Sequence, residues 1–222
     1  MDGTISAIEV QERRGGKRSN VYLDGRYAFS LTSEAAAELR VGDPLLEQQH
    51  AALVVKDQRA RCYEAALRFL GPRPRSEREI RDRLARHEFD SHVVDGIIVR
   101  LRELRLVDDA AFAAYWVEQR AAHRPRGARL LKQELRNKGI SQDVVAEALP
   151  EDDDADGAYR AAHRKATSLR ALDERTFKQR LGGFLQRRGY GYETVRTVTT
   201  RLWSETNGHS DGSGEDDFET DA

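Results

Sequence analysis

Four places in the chain hold residue types that could do chemistry, and each fails where that chemistry needs a particular atom. Gly16-Lys17 would suit a phosphate loop, but such a loop needs glycine five residues earlier and Ser or Thr next, where Gln11 and Arg18 stand. His87-Glu88 would open a zinc-protease helix, yet Ser91 occupies the place of the second histidine and His92 falls one position late. Asp152, Asp154, Asp156 and Gly157 match the first half of a calcium loop. Its ninth and twelfth positions are Arg160 and His163, two cations that oppose a divalent ion, so an acidic linker is the better reading. Asp108-Asp109 stand directly before a helical run, where capping and the helix dipole account for them. Cys62 lies in a helical pattern beside Arg61 and Tyr63 and reads as a half-buried structural thiol; with a single cysteine no internal disulfide forms. His50, His123 and His209 have no Cys or His partners at ligand spacing. No catalytic residue, metal site or cofactor is expected, and the chain reads as a binding protein rather than an enzyme.

The informative side chains are the basic ones. Arg73, Arg75 and Arg78 cluster at one inter-helix turn. Arg124, Arg126, Arg129 and Lys132 cluster at a second, with Lys138 at the turn that follows. Arg175, Lys178, Arg180, Arg187 and Arg188 form a third group. A single such residue is ordinarily a solvated helix face, but recurrence at equivalent turns points to a shared surface for a polyanion or an acidic protein groove. The net charge of −1 conceals this segregation. Residues 59–149 carry 19 basic and 14 acidic side chains, and residues 158–203 carry 11 and 3. Between them, residues 150–157 hold 5 acids and no base, and residues 204–222 hold 7 acids and no base.

The elements that position these residues follow from apolar spacing. With 39% hydrophobic and 34% charged residues, the chain suits several small units better than one large core. Phe89, Ile140 and Tyr190 anchor a repeat. Nine positions earlier stand Ile80, Leu131 and Leu181; five earlier, Leu84, Leu135 and Leu185; five later, Val94, Val145 and Val195. Gly139 and Gly189 precede two of the anchors and suit the left-handed residue that ends a helix, whereas the first copy has Glu88 there. Each copy is a helix, a tight turn and a second helix, with a further helix ahead of it at residues 63–70, 112–120 and 159–169. Ser76 with Glu79 makes a capping box, and Ser141 and Asp173 are N-caps. Trp116 and Trp203 fall on apolar helical faces and read as core.

The fold expected is mainly α: three tandem three-helix repeats forming an elongated helical rod, with a small β-rich N-terminal extension. The extension spans residues 1–45, where Asp24-Gly25 between β-rich runs marks a hairpin, and a helix over residues 33–40 caps a three-stranded sheet. Repeats follow at 46–107, 108–150 and 158–203, with the acidic linker at 151–157 and a disordered acidic tail at 204–222. Removing residues 1–44 is expected to leave the helices folded. No membrane span or secretory signal is read, so a cytoplasmic monomer is expected.

The ordered set of motifs over residues 60–203 resembles the RecX family of recombinase regulators. It comprises Ala66-Leu67-Arg68-Phe69-Leu70, residues 73–77 (RPRSE), Asp108-Asp109-Ala110-Ala111-Phe112-Ala113, Trp116-Val117, Arg120 and Gly127. It continues through Glu134-Leu135-Arg136-Asn137-Lys138-Gly139-Ile140 and Phe184-Leu185-Gln186-Arg187-Arg188-Gly189-Tyr190. The hairpin over residues 21–31 looks like an extension carried by some members. The resemblance implies a partner, the recombinase RecA, bound in the groove of its filament on single-stranded DNA, with suppression of ATP hydrolysis, strand exchange and coprotease activity. It thereby implies roles in DNA repair, the SOS response and homologous recombination. The alternative is a direct DNA-binding protein of helix-turn-helix-like units. Against it, Asp143, Glu147 and Glu193 on the third helices would face phosphates; weak DNA contact is compatible with either reading.

Overall fold

The structure, a computed structural model, describes residues 2–12, 18–149 and 154–207. They fall into two compact units, Met1–Asp108 and Asp109–Ala222.

In the first unit, β1 (Gly3–Val10), β2 (Arg18–Leu23) and β3 (Arg26–Thr32) pair antiparallel. Asp24 and Gly25 take φ of 49° and 79° between β2 and β3, the positive pair that a type I′ turn requires. Alternation along β2 turns Ser19, Val21 and Leu23 inward. A fourth strand not expected from sequence, β4 (Pro44–Leu45), pairs with Gly3 and Thr4 and gives the order β3-β2-β1-β4. Its proline stands at a sheet edge, where the missing N–H is tolerated. The expected helix over 33–40 is only α1 (Ser33–Ala36), capped by Thr32. The chain then tightens into a turn, Leu39 N–H to the Ala36 carbonyl, on its way to Gly42 at φ 97°.

The sheet and the first repeat are joined by one helix that starts just after residue 45. Helix α2 (Glu47–Leu70) runs unbroken for 24 residues and belongs to both neighbours. Leu53 packs beneath the sheet, whereas Cys62 and Ala66 are fully buried in the core of the first repeat. Between them Asp57, 4% exposed, accepts the Thr32 N–H at 2.5 Å and meets Arg18 and Arg61 at 3.5 and 3.7 Å. The extension is therefore tied into the repeat rather than hung from it. Burial pushes the Cys62 thiol up to about 11, so it stays neutral and behaves as a small apolar side chain.

Helices α3 (Glu77–Ala85) and α4 (Ser91–Glu103) complete the first repeat, with Ser76 accepting the Glu79 N–H at 3.3 Å. The second unit holds α5 (Asp109–His123), α6 (Ala128–Asn137) and α7 (Gln142–Ala148), followed by α8 (Ala155–Thr167), α9 (Glu174–Arg187) and α10 (Tyr192–Asn207). Ser141 and Asp173 cap α7 and α9 as expected. Every apolar position that defined the repeat nine before, five before or five after its anchor is buried, and each repeat has its own core. Trp116 and Trp203 pack on two of these cores.

The acidic stretch runs into α8, where Asp154 accepts the Gly157 N–H at 2.7 Å and Asp156 sits in the first turn, a favourable place for acids. Helix α10 continues past the expected end at 203 to Asn207, with Arg201 and Glu205 paired at 2.8 Å one turn apart. The polar turn at 13–17, the linker at 151–153 and the tail from 208 lie outside the described residues. Among the described residues no helix is long and apolar enough to cross a membrane.

The three turns share one backbone shape. Gly139 and Gly189 stand at φ 85° and 89°, and Glu88 takes φ 58° in their place. A side chain in the left-handed region carries a steric cost that glycine lacks. Glu88→Gly is therefore expected to stabilise the first unit by about 0.5–1 kcal/mol, the relief exceeding the added backbone entropy of the unfolded chain. Urea unfolding of the two proteins measures this; destabilisation would show that the Glu88 side chain holds the turn.

Candidate functional site

Two turns far apart in sequence meet at a joint inside the second unit. The turn at residues 187–190 lies on the N-terminus of α6, where the Gly127 N–H donates to the Arg188 carbonyl at 2.9 Å. Arg129 Nη2 donates to the Gln186 carbonyl at 3.0 Å, and Arg188 Nη1 to the Pro125 carbonyl at 3.3 Å. The approach is main chain to main chain. A Cβ on Gly127 would run into the Gly189 carbonyl and the Tyr190 nitrogen, and one on Gly189 would come 2.5 Å from Leu130 Cβ.

Beside this joint opens a groove of about 790 Å³, whose wall includes Arg129, Lys132, Gln186, Tyr190, Tyr192 and Glu193. Arg129 and Lys132 are exposed, and Tyr192 is 69% exposed. Glu193 is occupied by Arg196 at 2.9 Å, which leaves the two cations to set the sign of the wall. A wall of this kind suits carboxylates or phosphates on a partner surface.

A second group of cations in the same unit has a different role. Glu134, its side chain 13% exposed, accepts from Trp116 Nε1 at 2.8 Å and Arg120 Nε at 2.9 Å on one oxygen, and meets Arg126 on the other. Arg120 and Lys138 lie 4.4 and 5.0 Å from the Trp116 ring centre, within cation–π range. Burial, and then the neighbouring charges of Arg120, Arg188 and Arg124, lower the pKa of Arg126; a guanidinium stays charged regardless, and Glu134 supplies a counter-charge.

The basic residues singled out by recurrence thus separate by place. Arg73 is held by Glu79 at 3.0 and 3.2 Å, and Arg75 donates to the Phe69 carbonyl at 3.1 Å while stacking 4.0 Å over its ring. Both brace the turn between α2 and α3. Arg78 is exposed, 3.9 Å from Asp82. Arg126 and Arg188, expected at the surface, are partly embedded: Arg126 by Glu134, and Arg188 by Pro125 and the Phe184 ring at 4.6 Å. Lys178 pairs with Glu174 at 2.6 Å. Arg124, Arg129, Lys132, Arg175 and Arg187 remain exposed. Sequence reasoning missed Glu134 as the centre of a charge cluster and Tyr192 as an exposed aromatic. The repeat held a signal for Tyr192, since the equivalent positions are Ser91 and Gln142, both polar.

Comparison with known proteins follows this architecture closely. Family models described as the first, second and third three-helix domains of RecX match residues 62–101, 108–149 and 151–199. The "Regulatory protein RecX" of Clostridium botulinum is 30% identical over 201 residues, covering 87% of this chain and 93% of the relative. This chain belongs to the RecX family. The RecX of Levilactobacillus brevis is 38% identical over 147 residues, covering 65% of this chain and 54% of that longer protein. A solved structure titled "Crystal structure of regulatory protein RecX" has a TM-score of 0.65 and 30% identity, and covers 89% of this chain and 98% of the other. The family is thus one of regulatory proteins.

Proposed function

We propose that this RecX-family chain is a negative modulator of the recombinase RecA. It lodges in the groove of the RecA filament on single-stranded DNA and suppresses ATP hydrolysis, strand exchange and coprotease activity. It acts by binding and not by catalysis. Family membership supports the partner, and one observation carries the mode of contact. Lys132 and Arg129 stand exposed on an open groove wall, Arg129 with one nitrogen on the Gln186 carbonyl, while their basic neighbours Arg126 and Arg188 are partly embedded. Tandem repeats with separate cores suit contacts that follow a groove across several subunits.

The rival reading, direct sequence reading of DNA, is disfavoured by charge. Asp143 and Glu147 are both exposed on the last helix of the second repeat, where they would oppose phosphates; Glu193 in the third repeat is paired with Arg196.

The expected result is that substoichiometric protein lowers the DNA-dependent ATPase rate of RecA from the same organism. Arg129→Glu with Lys132→Glu should raise the concentration for half inhibition by about tenfold or more and reduce the salt dependence, with helicity and the urea midpoint unchanged on the same samples, the midpoint checking that loss of the Arg129 bond to the Gln186 carbonyl has not loosened the joint. Full inhibition by the folded double variant would remove this groove as the contact. No effect of the unaltered protein on RecA would overturn the proposal.

A further inference from the structure

A second cavity, of about 310 Å³, lies in the first unit where the sheet meets the middle of α2. Its wall carries Arg18, Arg61, Arg68, His87 and Phe89, together with Glu64. Arg18 is fixed before any ligand arrives: its side chain is 15% exposed and its Nη2 donates to the Ser30 carbonyl at 2.6 Å and to Ser30 Oγ at 2.7 Å. Behind the wall, Asp57 gives one carboxylate oxygen to the Thr32 N–H and shares the other between Arg18 and Arg61. Arg68 is matched by Glu64 at 3.3 Å, an exposed pair. Three guanidiniums therefore stand over two carboxylates, and two of the three contend for a single oxygen. Excess positive charge against a partly enclosed wall favours an anion from outside more strongly than the same charge in open water would. The Phe89 ring lies 5.8 Å from the Arg61 guanidinium carbon, so an aromatic face borders the charged one.

We propose that this cavity is a phosphate-ester site, holding a nucleotide phosphate on Arg18, Arg61 and Arg68 with the base beside Phe89. Guanidinium forks match phosphate oxygens in pairs, and the three terminal oxygens of a phosphate ester reach more than one fork at once, where a carboxylate offers two. An aromatic flank serves any base and gives no sequence preference. The cavity size is that of a small-ligand site. Neither Arg129 nor Lys132 takes part, so the site stands or falls apart from the RecA reading.

Calorimetry on the full chain at low salt tests it with thymidine monophosphate, a short oligothymidylate and a glutamate-rich peptide. The expected result is saturable one-site binding of the monophosphate. Binding should weaken about tenfold in Arg61→Gln/Arg68→Gln and stay unchanged in Arg59→Gln/Arg100→Gln, which removes the same charge from other exposed positions of this unit. Tighter binding of the oligonucleotide with the same arginine dependence identifies a strand as the source of the phosphate; equal binding identifies a free nucleotide. In Arg61→Gln, Asp57 retains Arg18 and the Thr32 N–H, and circular dichroism on the same samples checks that the fold persists. Three results would overturn the site: no saturable binding, equal weakening in both double variants, or peptide binding as tight as the monophosphate through the same arginines.

Discussion

Valine at Gly127 is expected to destabilise the second unit by about 3 kcal/mol, among the largest effects a single substitution in this chain can have. The new Cβ meets main-chain atoms of Gly189 and Tyr190, which no rotamer change can move aside. The N–H of residue 127 would also be drawn off the Arg188 carbonyl, leaving buried polar groups imperfectly matched. The two cores flanking the joint are separate, so each repeat should remain helical while the contact between them fails. Urea unfolding followed by circular dichroism should then show a lower midpoint, and faster amide exchange at residues 127–130 and 187–190. An unchanged midpoint would mean that the joint is looser than these distances allow. Alanine tests the same collision, because the clash begins at Cβ.

Glu134→Ala is expected to cost about 2–3 kcal/mol, somewhat less than breaking a fully buried ion pair, because the Arg120 and Arg126 side chains keep 25% and 28% exposure to water. Three donors lose their acceptor together: two guanidiniums and the Trp116 indole N–H. Glu134→Gln keeps an acceptor oxygen and the packing volume, so it should lose roughly half as much. Denaturant curves of the three proteins give the comparison, with indole fluorescence reporting on the surroundings of Trp116. A loss below about 0.5 kcal/mol for alanine, the range of ordinary surface substitutions, would show that the cluster is held by packing alone.

The repeat was legible in the sequence because its evidence is local. Ile80, Leu84 and Val94 sit at helical spacing around a turn, and the same spacing recurs at Leu131, Leu135, Val145 and at Leu181, Leu185, Val195. Capping residues such as Ser76, Ser141 and Asp173 were legible for the same reason, since a cap acts within three residues. The joint was not legible. Gly127 before a helix reads as an ordinary helix start, and its partner at Gly189 is brought there only by tertiary packing. The basic clusters were found as clusters, but spacing alone could not sort Arg126 from Arg129. The difference lies in Glu134, which meets the first from the far side of a turn, while Arg129 reaches the Gln186 carbonyl in another repeat. The long helix opening at Glu47-Gln48-Gln49 was not legible either, because its buried positions, Asp57, Cys62 and Ala66, are few and widely spaced.

Helix α2 is, by its length, a shaft of about 36 Å that bears the sheet near one end and a repeat core near the other. Such a shaft transmits torque. A partner that grips the sheet and twists it turns the Cys62 end through the same angle, with no slack to absorb the motion. A tether of equal reach would let the two bodies wander, and a partner engaging both would have to suppress that wandering at its own entropic expense. Here the relative orientation is settled when the chain folds, so a surface that recognises the sheet and the first repeat together meets them already aligned.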